Sequence, residues 1–237
     1  MPNTRIASAV QYPAYILSQS ATGRILPACA ASSTVAQTGT TVTVTNGASV
    51  AHNIPATTYD GYKVYFPGSA GIAAGWYDGF SRTGAATYTF TRATATVASE
   101  SVNGGSAYTT ETTADTISVL ANAIGVNGSL RVQTTWGMNN NANSKSVNVK
   151  FGGSTVMGFG FSSVASYSDI RYVRNRGVAN KQVIHPTNQG SLSSGTNAVA
   201  YLTIDTSAAQ NITLTMNPAT ASDFVVLEGY TIEVLPS

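Results

Sequence analysis

Along most of this chain apolar and polar side chains alternate one by one, the period of a strand with one face buried and one face wet. Val42 and Val44 alternate with Thr41, Thr43 and Thr45, and Tyr88 and Phe90 alternate with Thr87, Thr89 and Thr91. Leu130, Val132 and Trp136 lie opposite Arg131, Gln133 and Thr135; Ile212, Leu214 and Met216 lie opposite Asn211, Thr213 and Thr215. The pattern predicts short strands over 41–45, 62–66, 75–80 and 87–92. Longer ones follow over 117–124, 129–136, 146–151, 155–161, 170–173, 181–185, 198–205, 211–216 and 223–235. Asn46-Gly47, Pro67-Gly68, Asp78-Gly79, Thr83-Gly84 and Asn127-Gly128 supply turn chemistry, and Gly152-Gly153 sits where a hairpin turns. Ala121 to Gly125 invites a helix, but Ile117, Val119 and Ile124 are strand formers without a helical stripe of adequate length.

Texture changes twice along the chain. Residues 1–38 carry short apolar groups (Tyr12, Tyr15, Ile16, Leu17) between prolines and the small-residue run Ala28 to Thr34, and read as an extended docking arm. Such an arm buries too little on its own to offset the entropy of ordering, so it is expected to lie on a neighbour. Residues 39–111 read as a small β domain and 112–237 as a β-sandwich of jelly-roll type. The Thr, Ser, Ala, Gly and Asn stretch from Ala93 to Thr113, with Tyr108 as its one aromatic, places the boundary near 105–112. The fold class expected is all-β: a small amino-terminal β domain, then a carboxy-terminal jelly-roll sandwich, preceded by an extended arm. Lys and Pro guards on sheet edges are scarce, so self-association is the expected way of covering those edges.

Composition narrows the function. The 237 residues include 12 Lys+Arg and 10 Asp+Glu, so 9% are charged, against roughly 25% in an ordinary soluble protein. The apolar share of 43% is enough for a core. A net charge of +2 is too small for phosphate recognition, so no nucleic-acid partner is expected. No run approaches the ~18 apolar residues of a membrane span, and Glu228 interrupts Val225-Val226-Leu227, so no membrane insertion is expected. Cys29 is the single cysteine and cannot form an internal disulfide. Leu26-Pro27-Ala28-Cys29 imitates a lipoprotein cleavage box, but Ser18, Gln19, Ser20, Thr22 and Arg24 break the apolar run that a signal peptide needs. Cys29 therefore reads as a small buried hydrophobe.

The stretch Gly128-Ser129-Leu130-Arg131-Val132, Trp136, Asn143-Ser144-Lys145-Ser146-Val147 and Phe151-Gly152-Gly153 resembles the carboxy-terminal jelly-roll module of tailed-bacteriophage virion proteins. The resemblance continues through Asn175-Arg176-Gly177, Asn180-Lys181-Gln182 and Thr203-Ile204-Asp205-Thr206 to Leu227-Glu228 and Val234-Leu235, about half the chain. Tyr59-Asp60-Gly61-Tyr62 and Ala74-Gly75-Trp76-Tyr77 also resemble a β module of phage structural proteins. The resemblance implies a non-enzymatic virion component, commonly a homotrimer, found in tail fibres and capsid-surface decorations. It implies no catalytic residue and no cofactor. A tail fibre or adhesin contributing to host attachment is the first expectation, docked on other virion proteins through the arm; a capsid decoration protein is the alternative.

Four groups of residues are candidates for chemistry. Nine of the 21 aromatics fall between Tyr59 and Phe90, and Tyr59, Tyr62, Trp76 and Tyr77 are candidate contacts to a host surface glycan or to another subunit. Arg171, Arg174, Arg176 and Lys181 form the one basic concentration and are candidate contacts to an anionic partner. Asp60 with Asp78, or Asp223 with Glu228, would be the carboxylate pairs of a polysaccharide-cleaving tailspike, the less favoured reading. His52 and His185 would hold a metal only if a trimer axis gathered three copies, so no metal is expected. No G-x-S-x-G motif occurs, and Gly104-Gly105 and Gly152-Gly153 open no helix that would hold phosphate. Asn127-Gly128-Ser129 and Asn211-Ile212-Thr213 match the glycosylation triplet but read as a turn and a strand.

Overall fold

The computed structural model describes residues 13–20, 23–47, 50–93, 96–104, 110–189 and 197–237. Every regular element among them is a strand. The first eight are β1 (Tyr15–Ser20), β2 (Arg24–Leu26), β3 (Thr34–Thr38), β4 (Thr41–Thr45), β5 (Lys63–Phe66), β6 (Gly75–Arg82), β7 (Thr87–Thr91) and β8 (Val97–Ser101). The other nine are β9 (Thr112–Val119), β10 (Ser129–Met138), β11 (Lys145–Phe151), β12 (Ser154–Phe161), β13 (Ser166–Asn175), β14 (Gln182–Ile184), β15 (Ala200–Leu202), β16 (Gln210–Pro218) and β17 (Val225–Leu235).

The carboxy-terminal strands form the expected two-sheet sandwich. One sheet has four strands in the order β12-β11-β16-β9. Facing it, β14, β13, β10 and β17 run side by side within a sheet of 13 strands. The alternation holds on both faces: Ile117, Val147, Val149, Ile212 and Leu214 point inward from one sheet and Leu130, Val132, Trp136, Val173, Ile232 and Val234 from the other. Trp136 is fully buried and its indole N–H donates to Thr134 Oγ1 at 2.9 Å, so the largest core side chain has its polar atom satisfied.

The segment expected as a docking arm is extended, but the neighbour it lies on is its own chain. Residues 1–12, Tyr12 among them, lie outside the described residues. From there β1 pairs antiparallel with β17, Tyr15 opposite Val234 and Ser20 opposite Tyr230. Ile25 and Leu26 of β2 are fully buried, and β3 forms a hairpin with β4 across Gly39, whose positive φ of 60° suits glycine. The boundary expected at residue 38 therefore falls inside a hairpin.

β2 is what connects the two parts of the molecule. It pairs antiparallel with β17 through Leu26, Ile25 and Arg24, and parallel with β5 through Lys63 and Val64. From β5 the sheet continues through β6, β7, β4 and β3 to β8. β6 serves two partners because it bends: its first residues pair with β5, then a register shift between Asp78 and Ser81, at Gly79 with φ 73°, turns the rest toward β7. The far edge comes round to the near one, since Ser69 bridges Val102 and Asn103 N–H donates to Gly68 carbonyl at 2.8 Å. The curled sheet encloses Val35, Val42, Val44, Phe66, Phe80, Tyr88 and Phe90.

Side-chain and backbone contacts reinforce the joint. Arg24 Nη2 lies 2.7 Å from Asp115 Oδ2 of β9, and the Cys29 N–H donates to Ala221 carbonyl at 2.9 Å. The Tyr62 ring lies across Gly23, where a β-carbon would come within 2.0 Å of it. Gly23→Ala is accordingly expected to lower unfolding stability by about 1–3 kcal/mol in urea melts, because the ring must leave its place. Gly160→Ala, which adds a methyl to open space, should stay within about 0.5 kcal/mol of the parent.

Candidate functional site

The four aromatic candidates lie at the joint and in the amino-terminal sheet, with their polar atoms engaged inside the chain. Tyr59 is buried, 5.4 Å from the Tyr62 ring and 6.0 Å from Phe224. Tyr62 donates its hydroxyl to Glu228 Oε2 at 2.8 Å. Burial first, and the Glu228 carboxylate beside them, push both tyrosine hydroxyls up to about 12. Trp76 packs edge-on against Tyr65 and donates its indole N–H to the Thr113 carbonyl of β9 at 2.9 Å. Tyr77 packs 4.8 Å from Phe90 and donates to the Ala73 carbonyl at 2.8 Å. This arrangement serves packing between the two parts of the chain; a sugar stacking there would find half-buried rings whose hydrogen-bonding groups already have partners.

The basic group divides in two. Arg171, expected to face an anionic partner, is buried. Its Nε donates to Asp169 Oδ2 at 2.5 Å, Nη1 donates to the Pro186 carbonyl at 2.9 Å, and Nη2 donates to the Gln189 carbonyl. The Phe159 ring lies 5.4 Å from the guanidinium carbon. The physical reason is the period of β13: Asp169, Arg171, Val173 and Asn175 face the interior, so this Arg is an internal counter-ion and is removed from the candidate site.

Arg174, Arg176 and Lys181 are exposed. Arg174 stacks over the Tyr172 ring at 4.8 Å and Arg176 over the Tyr201 ring at 4.8 Å. Across β13, β14 and β15 the register sets Arg174 opposite Val183 and Val183 opposite Tyr201, so the three share one outward face. On that face lies a groove of about 260 Å³ lined by Ile170, Tyr172, Arg174, Val183, His185 and Val199. Beneath it the hairpin is clamped by a buried polar network. Gln182 donates to Asn175 Oδ1 at 2.8 Å and to the Ile204 carbonyl at 3.0 Å, and its own Oε1 accepts the Ile204 N–H at 2.9 Å. Asn175 in turn donates to Thr206 Oγ1 at 2.9 Å. The work of these four residues is to hold the hairpin that displays the cations.

The carboxylate candidates have partners of their own. Asp78 pairs with Lys63 at 2.8 Å, and Asp60 accepts the Arg82 N–H at 3.3 Å. Asp223 is fully enclosed: Asn139 and Asn141 each donate to its Oδ1 at 2.7 Å, Asn143 donates at 3.3 Å, and Thr220 donates to Oδ2 at 2.9 Å. Lys145, equally buried, stands 3.8 Å away and donates to Asn141 Oδ1 at 2.6 Å and the Asn143 carbonyl at 2.7 Å. The ammonium thus sits among oxygens as a bound cation would. The signal for this cluster is the spacing of Asn139, Asn141 and Asn143 ahead of a Lys in phase with the inward Val147, Val149 and Phe151.

His52 is buried, its Nε2 3.2 Å from the Thr87 carbonyl, and burial lowers its pKa despite that contact. Among the described residues no three of His, Cys, Asp and Glu come together. Cys29 is fully buried, and burial pushes its thiol up to about 11, against a smaller opposing pull from Ser33.

The Asp223 cluster has a pH signature. Burial disfavours the Asp223 carboxylate, but the donors Asn139, Asn141, Thr220 and Asn143 outweigh it and hold its pKa below the ordinary value. A carboxylate depressed on folding contributes its stability above the unfolded pKa of about 3.9 and loses it as pH falls through the folded value. Urea stability of the parent is therefore expected to fall below about pH 4, and Asp223→Asn should flatten that fall. Lys145→Met, which leaves Asp223 buried without its counter-charge, should cost about 3–5 kcal/mol at pH 7.

No protein-family model matches this chain, and no curated protein matches it. Among solved structures it is similar to an insecticidal delta-endotoxin, Cry8Ea1, from Bacillus thuringiensis, at 9% identity and a TM-score of 0.28. That alignment covers 86% of this chain and 42% of the toxin, so the chain spans less than half of the length of the structure it matches.

Proposed function

We propose that this chain is a non-enzymatic structural protein of a bacteriophage particle, a homotrimeric tail-associated component that contributes to host attachment. The observation that carries the reading is an apolar end of the sandwich assembled from separate segments. Tyr15 and Ile16 of β1, Leu120 and Val126 between β9 and β10, and Val178 at the tip of the β13–β14 hairpin are all large apolar residues left exposed, Leu120 at 67%. Backbone bonds hold these segments together: the Asn122 N–H donates to the Thr206 carbonyl and the Thr206 N–H to the Ala179 carbonyl, while the Asn127 N–H reaches Ser237 Oγ. An apolar groove of about 400 Å³ between Pro13, Tyr15, Ala123 and Pro236 lies at the same end. In a chain with so few charges, such an end suits contact with identical copies. Repetition by symmetry would then give avidity to weak contacts made elsewhere on the surface. The resemblance of the sandwich stretches to phage virion modules supports the same reading.

The purified chain is expected to run at three times 24.4 kDa in sedimentation velocity, and Leu120→Asp with Val126→Asp to shift it toward the single-chain mass with its β spectrum retained. Gold-labelled antibody should decorate the tails of intact particles. A stable single chain would overturn the trimer, label on the head would favour capsid decoration, and release of reducing sugar from host polysaccharide would overturn the non-enzymatic assignment.

A further inference from the structure

Charge in this chain is scarce, and each of its ten carboxylates has a partner within the chain. Six ion pairs engage Asp78, Asp115, Asp169, Asp223, Glu111 and Glu233. The remaining carboxylates are bound by hydroxyl or N–H donors: Glu228 by Tyr62, Glu100 by Ser69 and Gly71, Asp60 by the Arg82 N–H and Asp205 by Ser207. Among the described residues no carboxylate pairs with Arg174, Arg176 or Lys181, which stand on one hairpin within eight residues of each other. The nearby acid on this face, Glu233, is taken by Arg131 at 3.2 Å.

The two arginines are held in a particular way. Each guanidinium carbon lies over a tyrosine ring, 4.8 Å from its centroid, a cation–π contact that holds the side chain against the sheet. An arginine so held carries a fixed fork of N–H donors, which suits a planar, two-bond contact to a carboxylate. Beside Arg174 runs the groove whose sides are Ile170, Tyr172, Val183 and Val199, an apolar bed with that cation at its edge and Arg176 further along the hairpin. Sugar rings present an apolar C–H face and polar edges, and match such a bed where a peptide side chain would cover only part of it. Its floor is rigid because Gln182, Asn175, Ile204 and Thr206 lock the hairpin from below.

We propose that the outward face of β13, β14 and β15 binds an acidic polysaccharide, with Arg174 and Arg176 forked to the carboxylates of uronic acid units and Tyr172 and Val183 under the sugar ring. The proposal rests on the attachment reading and names the class of surface molecule that reading requires. Lys181, at the turn, adds attraction without geometry, so its removal should matter least.

The test is binding of the full chain to immobilised polygalacturonate, with carboxyl-reduced polygalacturonate, dextran sulfate and neutral dextran alongside. Polygalacturonate should bind and its reduced form should not. Arg174→Lys, which keeps the charge and loses the fork, and Tyr172→Ala should each weaken binding by about tenfold or more, and Arg176→Ala should do the same; all three positions are at the surface, and circular dichroism checks their folding. Equal binding of dextran sulfate, insensitive to Tyr172→Ala, would reduce the face to a general cationic patch and overturn the proposal. Host-cell attachment that persists without polygalacturonate binding would overturn it and leave the attachment reading standing, whereas loss of attachment itself would remove that reading.

Discussion

The fold depends on one strand having partners on both edges along most of its length. β17 pairs with β10 from Val225 to Leu235, and its other edge is shared between β2 at Val225 to Leu227 and β1 at Tyr230 to Val234. Val225, Val226, Ile232 and Val234 are fully buried. Such a central strand completes the sandwich and, through β2 and β5, extends the same hydrogen-bonded sheet into the amino-terminal part. β17 thereby fixes β1 and β2 through a pairing of long sequence separation, the kind of contact associated with slow folding. The change of edge partner occurs where β10 shifts register between Thr135 and Trp136, and Glu228 at that point turns toward Tyr62, so the irregularity in the ladder is also where the two parts are tied together.

Strands with clean alternation were legible from residues alone. β4, β7, β10, β11 and β16 agree with the expected runs to within two residues at most ends, because each has one face on a core and one on water. β1, β2, β3 and β8 carried no comparable signal. The three residues of β2 are too few to show a period, and their burial comes from partners far away in the chain. β8, with Val97, Ala98, Ser99, Glu100 and Ser101, is an edge strand whose place is set by backbone pairing to β3. The same limit applies to the aromatic cluster: composition cannot distinguish Trp76 on a sugar from Trp76 on the Thr113 carbonyl. For the basic run the distinction was available, because Asp169 and Arg171 are two apart on a strand and so share a face, the placing of an internal pair, while Arg174 falls on the opposite one.

What remains is a molecule that uses its few charges and many amides inside. Lys145 with Asp223, Arg171 with Asp169, and Gln182 with Asn175 are all buried; the first and last stand where a strand passes into a loop, and Arg171 reaches from within β13 to the Pro186 and Gln189 carbonyls of a loop. Polar pairs in such places fix loop geometry that apolar packing alone leaves degenerate. Gln182 with Asn175 in this way fixes the hairpin that presents Arg174 and Arg176, while Lys145 with Asp223 fixes the opposite end of the sandwich, where Met138 pairs with Val225.

The central claim, that β17 makes one cooperative body of both parts, is tested most directly by segment-resolved hydrogen exchange under native conditions with increasing urea. If it holds, amides of β2, β5, β10 and β17 will open together with a single dependence on urea. Earlier exchange of β3 to β7 as a separate unit, while β10 and β17 stay protected, would contradict it.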